Sequence, residues 1–210
     1  MQNSMPPPAP QTRIRRRNTL AILDAALDVF SERGFGGATL DQIAQQAGLS
    51  KPNLLYYFPS KQAIHASLLS GLMKTWLDPL RMLDPAGEPV EEIVAYVLRK
   101  LEMSRRLPRE SRLFANEILQ GAPRIQDQIY GDLRSLVDEK AGLIQIWQER
   151  GRLAPLDAHH MIFSIWATTQ HYADFDVQVR GILGPDRDAH FADAATFLAG
   201  LYRAALTPAR

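Results

Sequence analysis

From Asn18 to Leu206 apolar residues recur at steps of three and four, and no stretch alternates as a strand would. The pattern predicts an all-α fold. Ile22, Leu23, Ala26, Leu27 and Phe30 mark the inward face of a first helix over about 18–33. Gly34 closes it, and Phe35 is placed to fold back over its last turn. Leu40, Ile43, Ala44 and Ala47 define a short second helix, and Leu54, Leu55 and Phe58 anchor a third over 51–58. A long fourth helix from Ser60 carries Ile64, Leu68, Leu72, Trp76 and Leu80, with a kink or early end expected at Pro79. Asp84-Pro85-Ala86-Gly87 is a break. Helix five then spans about 89–107, opening with Glu91 and Glu92, and helix six runs from Pro108 to Gly121. Helix seven runs from Pro123 to Gly151 as one element, helix eight from Asp157 to about Arg180, and a ninth over about 188–206. Three helices and then six suggest a basic arm over 1–17, a small domain over 18–60 and a larger one over 61–210.

Thr39 to Lys61 carry the most specific chemistry. Thr39 and Gln42 are spaced as a capping box, Gly48 suits a left-handed turn residue, Ser50 caps the next helix, and Pro52 sits in its first turn. Two short helices joined by a turn with Gly make a helix-turn-helix, whose second helix can enter a major groove. Once Leu54, Leu55 and Phe58 face the core, Lys51, Asn53, Tyr56 and Tyr57 remain outside, and they suit phosphates and base edges. Ser60 caps the following helix and Lys61 lies in its first turn, a pairing suited to a phosphate. The plainer alternative is a solvated helical hairpin. Turn chemistry, caps and outward polar residues together weigh against it.

The formal charge of the 210-residue chain is only +1, yet Arg13, Arg15, Arg16 and Arg17 fall in a first stretch without acid, after MPPPAP. Such an arm is expected to be disordered alone and to reach a groove or lie along phosphates. The absence of cysteine removes disulfides, thiolate metal sites and thiol redox chemistry. No apolar run approaches a membrane span and no signal peptide is evident, so a cytoplasmic protein is expected.

The stretch GFGGATLDQIAQQAGLSKPNLLYYFPSKQAI resembles the DNA-binding motif of the TetR family of transcriptional regulators. Over NLLYYFPSK, WLDPL, SRLFANEIL, LVDEKAGLI and GRLAPLDAHHMIFSIWATTQHYADF the chain is similar to the pyrimidine-utilisation repressors of that family. The resemblance implies a homodimer on palindromic double-stranded operator DNA, with a small-molecule effector. It implies DNA contacts at Thr39, Lys51, Pro52, Asn53, Tyr56, Tyr57 and Lys61. Lys51, Asn53 and Tyr56 are then the base readers, Thr39, Tyr57 and Lys61 the phosphate anchors, and Pro52 an apolar groove contact. It places dimerisation on the last two helices, where Phe191, Ala194, Ala195, Leu198, Leu201 and Tyr202 form a candidate seam.

The effector pocket, which the resemblance puts among helices four to eight, draws on Trp76, Lys100, Phe114, Glu117, Trp166 and Gln170. Trp166 and Gln170 are four apart and share a helical face. An indole face beside a carboxamide suits a flat ring with adjacent C=O and N–H groups, such as uracil or thymine. Roughly 24 Å of helix from Ser60 to Trp76 can carry a tilt to the DNA-reading helices. Competing readings are a drug-like or acyl effector, a DNA binder with no effector, and an enzyme. No cofactor or metal is expected. His159 and His160 are adjacent on a helix and point apart, and no nucleophile–base pair is evident.

Overall fold

Local side-chain chemistry fixes the first three elements. In the computed structural model, which describes residues 10–184 and 189–208, all regular structure among the described residues is helical. Helix α1 spans Pro10–Gly37, α2 Leu40–Gln46 and α3 Lys51–Tyr57. Thr39 Oγ1 accepts from Gln42 N at 3.2 Å and Gln42 Oε1 accepts from Thr39 N at 3.0 Å, so the capping box is closed in both directions. Gly48 turns the chain at φ 67°, and Ser50 Oγ accepts from Asn53 N at 3.3 Å to start α3. Ile22, Ala26, Phe30, Ile43, Leu54 and Ile64 are fully buried and form the core of this unit.

Two expectations about α1 change. The arm is helical from Pro10, with Arg13, Arg15, Arg16 and Arg17 exposed on that extension, and residues 1–9 lie outside the described residues. Gly34 does break the helix, at φ 65° and ψ 174°, but helical bonding resumes to Gly37. Phe35 folds back as expected: its ring stacks on Phe30 at 5.9 Å between centroids.

Helix α4 spans Lys61–Arg81 and passes through Pro79, ending two residues later rather than at the proline. Its buried face is Ile64, Leu69, Met73, Trp76, Leu77 and Leu80, with Leu68 and Leu72 only half-buried. A step of four overshoots a helical turn by about 40°, so a strict four-residue stripe drifts off the core. The chain divides into two compact units after Ser70, inside α4.

In the second unit α5 (Pro89–Arg106) packs against both α9 (Ala158–Asp174) and α11 (His190–Leu206). Glu91 and Glu92 in its first turn and Arg105 and Arg106 in its last complement the helix dipole. Ile93, Val94, Tyr96, Val97 and Leu101 make its buried face. Helix α6 (Pro108–Leu119) also rests on α9, as does α8 (Arg134–Glu149). Helix seven of the sequence reading is not one regular element: α7 covers Gln126–Gln128 and leads into a π-helical stretch, Ile129–Leu133, before α8. Helix eight is broken at Phe175, so that α9 is followed by α10 (Asp176–Leu183). The expected start of the last helix at Asp188 lies outside the described residues, and α11 begins at His190.

The proposed dimer seam is largely the subunit's own core. Ala194, Leu198 and Tyr202 are buried, and Tyr202 Oη lies 3.1 Å from the hydroxyls of both Ser164 and Thr168 on α9. Phe191 and Ala195 are half-buried. The large apolar side chains left exposed on α9 and α11 are Phe163, Phe197 and Leu201, with Phe197 64 % exposed.

Candidate nucleic-acid interface and effector cavity

Helix α3 presents the polar face that its sequence suggests. Leu54 is its buried anchor, while Leu55 is exposed and Phe58 half-buried, so one residue rather than three seats the helix fully. Lys51, Pro52 and Asn53 are exposed in the first turn, and Tyr56 is 74 % exposed one turn on. Lys51 Nζ lies 2.8 Å from Asp41 Oδ2, a solvated pair of two exposed side chains that costs little to part. Tyr57 is half-buried; its hydroxyl accepts from Asn18 Nδ2 at 2.8 Å, which leaves the phenolic proton to donate elsewhere.

Lys61 has a role the sequence reading missed. Its ammonium donates to Phe35 O and to Ala38 O, each at 2.7 Å, and sits 4.4 Å from the Phe35 ring centroid. Two of its three N–H groups therefore hold the chain between α1 and α2, leaving one for another acceptor. Thr39 is exposed at the end of that segment.

In the second unit a small cavity of about 40 Å³ lies between α4, α5, α6 and α9. Trp76, Lys100, Phe114, Trp166 and Gln170 line it, so five of the six residues expected of the pocket come together. At roughly 10–15 Å³ per water in this measure, the space equals about three waters, the scale of one six-membered ring. Trp76 and Phe114 are stacked at 6.4 Å with an interplanar angle of 28°. Trp166 Nε1 donates to Tyr96 Oη at 2.7 Å, which fixes the indole. Among the described residues the Gln170 side chain has no hydrogen bond, and Trp76 Nε1 is buried without an acceptor.

Glu117 is not part of this wall. It is buried, and its carboxylate accepts from Arg124 N at 2.9 Å and from the Arg124 guanidinium at 2.8 Å. It clamps the turn after α6, and its charge is spent there.

Lys100 is the electrostatic centre of the cavity. It is 1 % exposed, and its ammonium stands 4.7 Å from the Trp76 ring centroid. Burial pushes its pKa down to about 7, against a smaller opposing pull from the Asp174 charge. No carboxylate hydrogen-bonds to it among the described residues. Asp174 instead accepts from Ser111 Oγ at 2.5 Å. Burial raises the Asp174 pKa, and the Ser111 bond and the Arg112, Lys100 and His171 charges pull it back. Tyr96, raised by burial, is also in the wall. The sequence held a signal for it: Tyr96 and Lys100 are one turn apart on α5, as Trp166 and Gln170 are on α9.

Phe114, Leu133, Trp166 and Gln170 also border a larger, mostly apolar groove of about 770 Å³. Among the described residues no cluster of His, Asp or Glu is arranged to hold a metal, and His159 pairs with Asp138 at 2.9 Å. No helix among them is long and apolar enough to cross a membrane.

Comparison with known proteins gives concordant results. Residues 22–68 match the family of bacterial regulatory proteins of the tetR type, and residues 69–209 match the C-terminal region of YcdC-like proteins. The chain is 52 % identical over 164 residues to the HTH-type transcriptional regulator RutR of Escherichia coli (strain K12), covering 78 % of this chain and 77 % of that one. It is 28 % identical over 141 residues to the A-factor receptor protein of Streptomyces griseus, covering 64 % and 46 % of the two chains. A TetR-like transcriptional regulator from Rhodococcus sp. RHA1 has the same fold at TM-score 0.66 and 22 % identity, over 95 % of this chain and 96 % of that one. So does AibR, solved with isovaleryl coenzyme A and operator DNA, at TM-score 0.68 and 17 % identity over 88 % and 97 %.

Proposed function

This chain belongs to the TetR family of bacterial regulatory proteins, and on that footing we propose that it represses pyrimidine-utilisation-type genes until uracil or thymine releases it from its operator. Proteins of this family bind operator DNA and small-molecule effectors and act as dimers. They are regulators and not enzymes. In our reading Lys51, Asn53 and Tyr56 read base edges, and Pro52 touches a thymine methyl. Thr39, Tyr57 and the remaining N–H of Lys61 hold phosphates. The protein acts in the cytoplasm, where its operator is.

One observation carries the choice of effector: the unpaired Gln170 carboxamide shares a ring-sized cavity with Trp76, Trp166 and Lys100. A carboxamide donates and accepts side by side, as the edge of a uracil ring does. An indole face supplies stacking, and a buried polar group left without a partner penalises any ligand that cannot hydrogen-bond. Because α4 carries both Trp76 and Lys61, a ring seated on Trp76 biases the helix whose first turn belongs to the DNA-reading unit. Coupling of about 1–3 kcal/mol then weakens operator binding some 5- to 150-fold. Titration of uracil into an operator complex tests this: a loss of that size is expected, and no shift at millimolar uracil rejects it. A second reading, an acyl or drug-like effector, is favoured by the apolar groove of about 770 Å³. Displacement by a short acyl thioester, with uracil inert, is its signature.

A further inference from the structure

We propose that the cavity holds its ring as an anion, as a salt of the Lys100 ammonium, and that the site therefore selects heterocycles by the acidity of a ring N–H. The inference rests on the pyrimidine reading above and adds the chemical class within it. Three observations support it. Lys100 is buried in the wall of a mostly apolar cavity, with the Trp76 ring on one side and no hydrogen-bonded carboxylate among the described residues. The nearest acid that acts on it, Asp174, is engaged by Ser111 at 2.5 Å. The cavity is too small for a long chain yet has room for one flat ring.

A neutral ring closing over Lys100 removes the last water and leaves a bare ammonium in a medium of low dielectric, which is costly. An anionic ring cancels that charge where Coulomb attraction is strongest. The proton is accounted for either way. Where Lys100 begins neutral, the ring N–H gives its proton to Nζ and nothing is exchanged with solvent. Where Lys100 begins charged, the ring proton leaves to buffer.

The other charges near this pair are few. Asp174 comes from α9 and in turn feels Arg112 from α6 and His171 on its own helix. Helix α4 contributes the Trp76 ring, and α11, also packed on α5, turns Arg203 to Glu91 at 2.7 Å.

Calorimetry of the full-length protein in buffers of different ionisation enthalpy, with uracil and with pyrimidines of graded N–H acidity, decides the matter. With Lys100 titrating at about 7, ion-pair binding releases close to one proton per ring one pH unit below that value and none one unit above. A neutral ring resting on an ammonium gives the opposite: none below and one taken up above. A neutral ring on the neutral amine holds the same number of protons as the ion pair, and the acidity ranking below separates those two. Affinity at neutral pH is expected to fall in the order fluorouracil, uracil, thymine, rising by up to about tenfold for each unit of added N–H acidity. Lys100→Met is expected to abolish both the proton release and the acidity ranking. If that variant melts too low to use, the proton count and ranking of the unaltered protein suffice. His171→Gln, which changes an exposed imidazole, is expected to leave the proton count as it was. Uracil that displaces operator without releasing a proton below neutrality overturns this inference alone. If no pyrimidine binds at all, the pyrimidine reading fails and this one with it.

Discussion

At the scale of single residues, the buried Lys100 makes stability depend on pH. In the unfolded chain its ammonium keeps its proton to about 10.5, and in the folded chain only to about 7. Between those values the unfolded state binds more protons, so stability rises with pH across the window. Below it both states are protonated and the full penalty of burying the charge applies, on the order of a few kcal/mol. Lys100→Met is expected to flatten this rise and to raise the melting temperature most on the acid side of neutrality. Thermal melts across the window check both. An unchanged slope in the variant removes Lys100 as its source. Glu117 shows the limit of reading residues singly. Its placement on the helix that carries Phe114 suggests a pocket residue, yet its partner Arg124 lies seven residues on, beyond the Gly121 turn. No helical periodicity predicts a contact made by a chain that has reversed direction. Lys100, by contrast, was legible because a lysine on an otherwise apolar helical face is conspicuous.

At the scale of elements, Lys61 ties three helices together. Its two bonds to Phe35 O and Ala38 O fasten the first turn of α4 to the segment between α1 and α2. Lys61→Ala is therefore expected to cost about 1–3 kcal/mol of stability, because two carbonyls lose a charged donor. It is also expected to reduce the salt slope of DNA binding by about one unit, through the N–H that remains. Denaturant titration and operator binding at several salt concentrations measure the two effects separately. A lower melting point with an unchanged slope makes Lys61 a fastener alone. Element boundaries that depend on immediate neighbours were legible: the Thr39–Gln42 box, Gly48 and Ser50 all behave as their chemistry dictates. The π-helical stretch at Ile129–Leu133 and the break at Phe175 were not. Neither site has a proline, and the stacking of Phe175 on His171 at 5.0 Å emerges only in the folded chain.

For the whole molecule, the apolar surface left by one subunit points to how two associate. Phe163 on α9 and Phe197 and Leu201 on α11 remain exposed after the subunit core has formed, on helices joined by the Tyr202 hydroxyl. Of the seam read from the sequence, Leu201 stays exposed, Phe191 and Ala195 are half-buried, and Ala194, Leu198 and Tyr202 pack inside the subunit, since an amphipathic pattern alone does not say which partner covers it. Phe197→Glu is expected to shift the protein from dimer to monomer in sedimentation and to abolish tight binding to a palindromic site. Binding to a half-site is expected to stay within a fewfold. A dimer that persists in this variant moves the interface elsewhere.

The tryptophans have one more use. Two of the three, Trp76 and Trp166, stand in the cavity wall, and the third, Trp147, is sealed in the core. In the effector complex proposed above, native emission comes from two indoles in the wall of the occupied cavity and one remote from it. Occupancy is readable as quenching, without a dye. The chain also has no thiol of its own, so a single introduced cysteine takes a second label with no background.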